Sequence, residues 1–173
     1  MASEPYVELE RRIARIEDRE AIRQLKWRYL RACDRKQPEA VRACFVPDAV
    51  IDYEDFPLFT SRDAFVALYE QFGCVPHVVD THHGQNDIVE VDGDTARGWF
   101  DLHFFQIDTL NHRQTQLAVW YEDEFVRTPE GWRIQRSLSR KLSTLVREGD
   151  AGGRDRVVVA GRSASDGPAP AAR

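Results

Sequence analysis

The sequence predicts an α+β domain, with helices first and a sheet after them, and three observations point to it. Up to about Phe72 the apolar residues recur at spacings of three and four. From Val78 the pattern changes to period two, and the strands that follow are grouped together instead of alternating with helices. Grouping of this kind argues against a parallel doubly wound sheet and for helices packed on one mainly antiparallel sheet.

Each element has its own signal. Leu9, Ile13, Ile16, Ile22, Leu25, Tyr29 and Leu30 make one amphipathic stripe, which predicts a long helix over Val7 to Arg35. A corner at Asp34 to Gln37 leads to Pro38, placed in the first turn of a short second helix. Pro47 and Asp48 break that helix, and Ala49 to Tyr53 reads as a short strand rich in β-branched residues. Ser61 is an N-cap for a third helix over Arg62 to Phe72, which Gly73 ends. Val78 to Val91 and Thr95 to Ile107 flank Asp92-Gly93-Asp94, a hairpin signal because glycine supplies the positive φ of a tight turn. Gln114 to Arg127 and Trp132 to Leu142 complete a four-stranded meander through the turn Thr128-Pro129-Glu130-Gly131. Residues 1–148 form the expected domain, and 149–173, rich in Gly, Ala, Ser and Pro, are expected to be a disordered tail.

Composition narrows the function classes. A net charge of −5 opposes a general polyanion binder, so no nucleic-acid partner is expected. The basic residues of the first helix, Lys26 among them, are interleaved with acids and read as a solvated, ion-paired face or an oligomer contact. No apolar run approaches the roughly 20 residues that cross a bilayer, and the charged N-terminus shows no secretory pattern. The expectation is a cytoplasmic protein without membrane contact. Cys33, Cys44 and Cys74 contain no CxxC pair and read as free thiols. His77, His82 and His83 near Asp80 lack a convincing ligand spacing, and the serine-nucleophile and phosphate-loop motifs are missing, so neither metal nor cofactor is expected.

Two stretches, YLRACDRKQPEAVRACFVPDAVIDYE and THHGQNDIVEVDGDTARGWFDLHFF, together resemble the SnoaL-like branch of the nuclear transport factor 2-like superfamily. The resemblance spans about Val7 to Leu145 and implies a cone-shaped α+β barrel. Scytalone dehydratase, bile-acid 7α-dehydratases and hexachlorocyclohexane dehydrochlorinase are members. It implies a pairing of the helix-end acid Asp34 with the strand histidine His82, assisted by Tyr29 and Tyr53. A tyrosine at position 29, where the dehydrochlorinase has lysine, leans toward loss of water. The implied activity is a cofactor-independent lyase acting on a hydroxylated cyclic ketone, polyketide or steroid-like molecule. Ketosteroid-type isomerisation, polyketide cyclisation and a non-catalytic binding or oxygenase small-subunit role stay open, because this frame hosts all of them.

The residue types suit that chemistry. An imidazole titrates near neutrality, at about 6.5, and can take a proton and return it, while a carboxylate on its other nitrogen fixes the tautomer. Acid at a helix C-terminus opposes the helix dipole, which suggests a use for Asp34; neutralisation by Arg31, Arg35 or Lys36 is the plainer alternative. His82 and His83 point to opposite faces, so one of them faces inward. Phe100, Leu102 and Phe104 share the face expected to wall an apolar pocket. Asp101 and His103 lie on the other face unless a β-bulge reverses them, and both are kept as substrate-binding candidates. Phe56, Phe59, Phe65, Leu68, Trp120 and Leu138 are expected to line or cover the pocket, with Asp52 to Thr60 as a flap. The outer face, with Trp99, Phe105, Ala118 and Trp120, predicts an assembly that covers it, and the resemblance to the dehydratases implies a homotrimer, with a dimer as the second choice.

Overall fold

In the computed structural model the described residues are 4–150, 152 and 154–161. Three helices, α1 (Glu4–Asp34), α2 (Pro38–Arg42) and α3 (Arg62–Phe72), pack on a six-stranded sheet. Its strands are β1 (Phe45–Tyr53), β2 (Val78–Asp92), β3 (Thr95–Asp108), β4 (Arg113–Thr128), β5 (Gly131–Gly149) and β6 (Asp155–Gly161). The sheet runs β1-β5-β4-β3-β2, and β6 also pairs with β5. β1 is parallel to β5 and the other pairs are antiparallel. The sheet stays open, because β2 and β1 are its two ends and do not pair with each other.

The local signals act as expected. Gln37 precedes Pro38 at the start of α2, Ser61 accepts from the Asp63 backbone N–H at 3.2 Å, and Gly93 takes φ 59° in the β2–β3 turn. Lys36 takes φ 55° at the corner after α1, where the Gln37 N–H donates to the Ala32 carbonyl at 3.0 Å. This corner ends α1 at Asp34 and aims its last turn at β2.

Two strand boundaries and the tail differ from expectation. β1 begins at Phe45, four residues early, because its pairing with β5 slips between Phe45 and Val50, so Pro47 and Asp48 sit where no ladder bond is required. β5 runs on past Leu142 to Gly149, its polar half held on one edge by β4 and on the other by β6. The disordered-tail reading is corrected for 155–161, which form β6: pairing holds these residues although all of them are exposed. The rest of the expected tail beyond 161 lies outside the described residues.

One core fills the space between helices and sheet. Ile22, Leu25 and Leu30 of α1, Phe45 and Ile51 of β1, Val66 of α3, and Phe100, Phe125 and Ile134 of the sheet are nearly inaccessible. α1 comes so close to β2 that a Cβ at Gly84 would overlap the Trp27 ring and lie 2.9 Å from Leu30 Cδ1. A second finding inside the core overturns the surface reading of Lys26, which is fully buried and ion-paired at 2.7 Å with fully buried Asp123. No helix among the described residues is long and apolar enough to cross a membrane.

Candidate active site

A cavity of about 340 Å³ opens between α1, α3 and the inner face of the sheet, at the lower end of the roughly 300–1,000 Å³ that small-molecule pockets span. Sheet alternation builds one wall. Leu102 and Phe104 of β3, Leu117, Val119 and Tyr121 of β4, and His82 of β2 face inward together. Phe65, Leu68 and Tyr69 of α3 form the opposite wall, while Tyr29 and Cys33 of α1 with Tyr53 of β1 form the polar floor.

Asp34 and His82 meet here. His82 Nδ1 lies 2.6 Å from Asp34 Oδ1, and the His82 backbone N–H donates to both carboxylate oxygens at 3.0 and 3.2 Å. These donors hold the acid at the helix C-terminus, where the dipole alone would disfavour it. A carboxylate only accepts, so Nδ1 carries a proton, and in the neutral imidazole this tautomer leaves Nε2 with its lone pair. Phe104 packs on the imidazole at 4.7 Å between centroids. The neutralising role considered for Lys36 goes elsewhere: its Nζ lies 2.5 Å from Asp80 Oδ2, whose other oxygen accepts from Gln106 Nε2 at 2.9 Å.

The two phenols meet as well. Tyr29 and Tyr53 hydroxyls are 3.0 Å apart, and Tyr53 is 3.1 Å from Ser137 Oγ, which donates to Asp123 Oδ1 at 2.6 Å. Burial pushes the Tyr29 phenol well above its usual range and raises Tyr53 and Tyr121 as well, so all three stay neutral at ordinary pH. Burial likewise raises the Cys33 thiol, which lines the cavity as an inert group. Behind Tyr121, Lys26 Nζ sits 3.5 Å from the ring centroid. Lys26 Nζ and Asp123 Oδ2 have no hydrogen-bond partner, so the ammonium is held by charge and by the ring faces of Tyr29, Phe100 and Tyr121. Burial lowers the Lys26 pKa, and Asp123 works against that shift.

Several expected contacts are not at the cavity. Phe59 and Phe100 are buried in the core, Phe100 edge-on to Trp27 and Phe125. Trp120 and Leu138 have the phase of the outer face and do not line the cavity. The sheet does contain a bulge, but in β2, between Gln85 and Ile88, with Asn86 at φ 51°. β3 therefore keeps its alternation, which leaves Asp101 and His103 outside. Asp101 accepts from Asn86 Nδ2 at 2.9 Å and so holds that bulge. His83 is exposed opposite His103. The expected flap is shorter than Asp52 to Thr60, because Phe59 pairs with Ile51 through backbone bonds of 2.9 and 3.0 Å. Glu54, Asp55 and Phe56 form the rim, which β5 holds through the Lys141 N–H on Glu54 and the Lys141–Asp55 ion pair.

A larger cleft of about 710 Å³ lies elsewhere, between α1 residues Arg15 and Arg19 and the Glu90, Arg97 and Glu124 region of the sheet. It mixes both signs of charge on a solvated surface and brings no acid–base pair together, so the smaller apolar cavity is the candidate site. Among the described residues no cluster of three or more His, Cys, Asp or Glu side chains could hold a metal ion.

The same fold occurs in known proteins. The structure superposes on a scytalone dehydratase-like protein of Novosphingobium aromaticivorans with a TM-score of 0.71 at 22% identity, covering 88% of this chain and 97% of that one. A type 3 LinA hexachlorocyclohexane dehydrochlorinase of Novosphingobium barchaimii gives 0.66 at 20%, covering 75% and 89%. An aromatic ring hydroxylase-like protein of Novosphingobium aromaticivorans gives 0.68 at 25%, covering 73% and 90%. In sequence, a functionally uncharacterised protein of Mycobacterium tuberculosis strain H37Rv is 37% identical over 133 residues, 75% of this chain and 88% of its own length. The profile of the SnoaL-like domain matches residues 14–137, and the chain belongs to that family, within the nuclear transport factor 2-like superfamily.

Proposed function

We propose that this protein is a cofactor-independent lyase of the dehydratase type, acting on a hydroxylated cyclic ketone of polyketide or steroid-like character. The observation that carries the reading is the His82–Asp34 contact of 2.6 Å at an apolar cavity. With Nδ1–H on Asp34, His82 Nε2 removes the proton from the carbon next to the substrate carbonyl. The electrons move onto the carbonyl oxygen, and the hydrogen-bonded Tyr29–Tyr53 pair supplies the phenol that stabilises that charge. As the electrons return, a C=C bond forms, the C–O bond breaks, and the proton on Nε2 leaves with the hydroxyl as water.

The test is incubation with a panel of enolisable β-hydroxy ketones and product mass analysis. Loss of one water in the native protein, reduced about 10²–10⁴-fold in His82→Ala, supports the reading; unchanged turnover in that variant removes it. A product of unchanged mass would point instead to isomerisation or cyclisation, which use the same proton shuttle without a leaving group. A further, non-catalytic reading takes the chain as the small subunit of an oxygenase, a class of assembly to which the likeness to an aromatic ring hydroxylase-like protein draws attention. That role predicts co-purification with a larger iron protein and indifference to His82→Ala.

We place the enzyme in the cytosol as a homotrimer. Half-buried Trp99, Phe105, Ala118 and Trp120 on the outer sheet face support an assembly that covers them. A stable monomer in analytical ultracentrifugation would overturn it.

A further inference from the structure

We propose that the buried Lys26–Asp123 pair fixes the direction of the hydrogen bonds that lead to the cavity, so that Tyr29 gives its proton to the substrate oxygen and Tyr53 serves as an acceptor. The proposal rests on the dehydratase reading for its consequence in catalysis, although the proton positions themselves do not depend on it.

Proton counting along the chain carries the argument. Asp123 Oδ1 takes a proton from Ser137 Oγ at 2.6 Å. With Lys26 Nζ at 2.7 Å from Asp123 Oδ2, the ion pair engages Oδ2 and leaves Oδ1 as the acceptor. Serine has one hydroxyl proton, and here it is committed to Asp123, so Ser137 Oγ must accept from Tyr53 at 3.1 Å. Tyr53 has then spent its own single proton, and its oxygen accepts from Tyr29 at 3.0 Å. Each bond in the series Tyr29 to Tyr53 to Ser137 to Asp123 therefore points away from the cavity and toward the buried cation.

Burial makes this order stable. Lys26, Asp123 and Ser137 are 0% exposed, so water does not compete for the proton that Ser137 gives Asp123, and Tyr29 and Tyr53 at the cavity floor are only 4% and 8% exposed. Tyr29 is the one phenol of the two whose proton is not tied to a deeper acceptor that in turn has nowhere else to donate. It can turn from Tyr53 to a substrate oxygen by rotation about its C–O bond, at the loss of a single phenol–phenol bond. Tyr53 cannot do so without leaving Ser137 and Asp123 unsatisfied in a dry core. Lys26 and Asp123 touch no substrate, and act as positioning residues through the tyrosines.

The test is nuclear Overhauser spectroscopy of the phenolic protons in isotope-labelled, full-length protein without ligand, compared with Ser137→Ala and with the double variant Lys26→Met/Asp123→Leu. The native protein should show the Tyr53 hydroxyl proton close to Ser137 Hβ and the Tyr29 hydroxyl proton close to the Tyr53 ring. Both variants remove the acceptor that sets the direction, and in each the Tyr53 proton should move to the Tyr29 ring. The proposal is overturned by a native Tyr53 proton already on Tyr29, by variants with the native pattern, or by phenolic protons that exchange too fast to observe. With a substrate in hand, Tyr29→Phe should lower kcat about 10²–10³-fold, the effect of losing one oxyanion donor. Tyr53→Phe should lower it less than about tenfold with KM nearly unchanged, because Tyr29 keeps its proton. Failure to find dehydration would leave the spectroscopic result standing, so the two ideas fail separately.

Discussion

Lys26→Met should cost more stability than any other single change at a charged residue, and the structure sets the size of the loss. Both partners are completely buried at 2.7 Å, so the substitution leaves the Asp123 carboxylate with the Ser137 hydroxyl and no counter-charge. Breaking such a pair on one side costs about 3–5 kcal/mol. At about 2–4 °C per kcal/mol for a chain of this length, the melting temperature should fall by roughly 6–20 °C. The double variant Lys26→Met/Asp123→Leu removes both charges and should recover most of that loss, since apolar replacement of a buried pair is close to neutral or favourable. Urea unfolding of the native protein and both variants, with unchanged m-values, measures the difference. Equal stabilities for single and double variants, or a loss below about 1 kcal/mol in the single one, would mean that Lys26 is hydrated in the folded protein and does not depend on Asp123.

Other outcomes follow from the same packing. Gly84→Ala should destabilise by about 1–3 kcal/mol, because its methyl group must displace Trp27 or Leu30 and so push α1 away from β2; stability equal to the native protein in urea would refute the close approach. Burial raises Cys33 and pushes Cys44 up to about 11, so at pH 8 a thiol reagent should modify half-exposed Cys74 and reach the other two on denaturation. Rapid release of three equivalents from the native protein would contradict this. Tyr29, Tyr53 and Tyr121 are raised by burial, so their stabilising contribution is complete below the unfolded value of about 10 and is lost as pH rises above it. Absorbance at the phenolate band should therefore show these three ionising together with unfolding; smooth titration of all five tyrosines in a still folded protein would contradict it.

Local chemistry made much of the fold legible. The Ser61 cap, Pro38 in the first turn of α2 and the Asp92-Gly93-Asp94 turn act through neighbours in sequence, and each lies where the residues predict it. What escaped depends on partners distant in the chain. β6 and the polar half of β5 are strands because edges are available for pairing; β6 is exposed throughout, and past Leu142 β5 buries only Val146, too little to announce a strand. The parallel pairing of β1 with β5 has no local signal either. At the site, the resemblance brought Asp34, His82, Tyr29 and Tyr53 into view, whereas the Lys26–Asp123 pair went unread. A signal for it did exist: Lys26 is four residues after Ile22 and three before Tyr29, within the apolar stripe, and Asp123 has the inward phase of Val119, Tyr121 and Phe125. Charge at such positions requires a partner, and the sequence alone does not say which residue supplies it. Asp101 and His103 illustrate the converse, since their fate turned on which of two paired strands carries the bulge.

Solvent-isotope tracing tests the proton shuttle most directly. In D₂O, with an enolisable β-hydroxy ketone that the protein dehydrates, native enzyme should release the enone and return unreacted substrate carrying deuterium next to the carbonyl. His82→Ala should abolish both the exchange and the loss of water, and Asp34→Asn should reduce them together while the cavity still binds the ketone. Exchange and elimination at the native rate in His82→Ala would show that position 82 moves no proton, and the account of this site would be wrong.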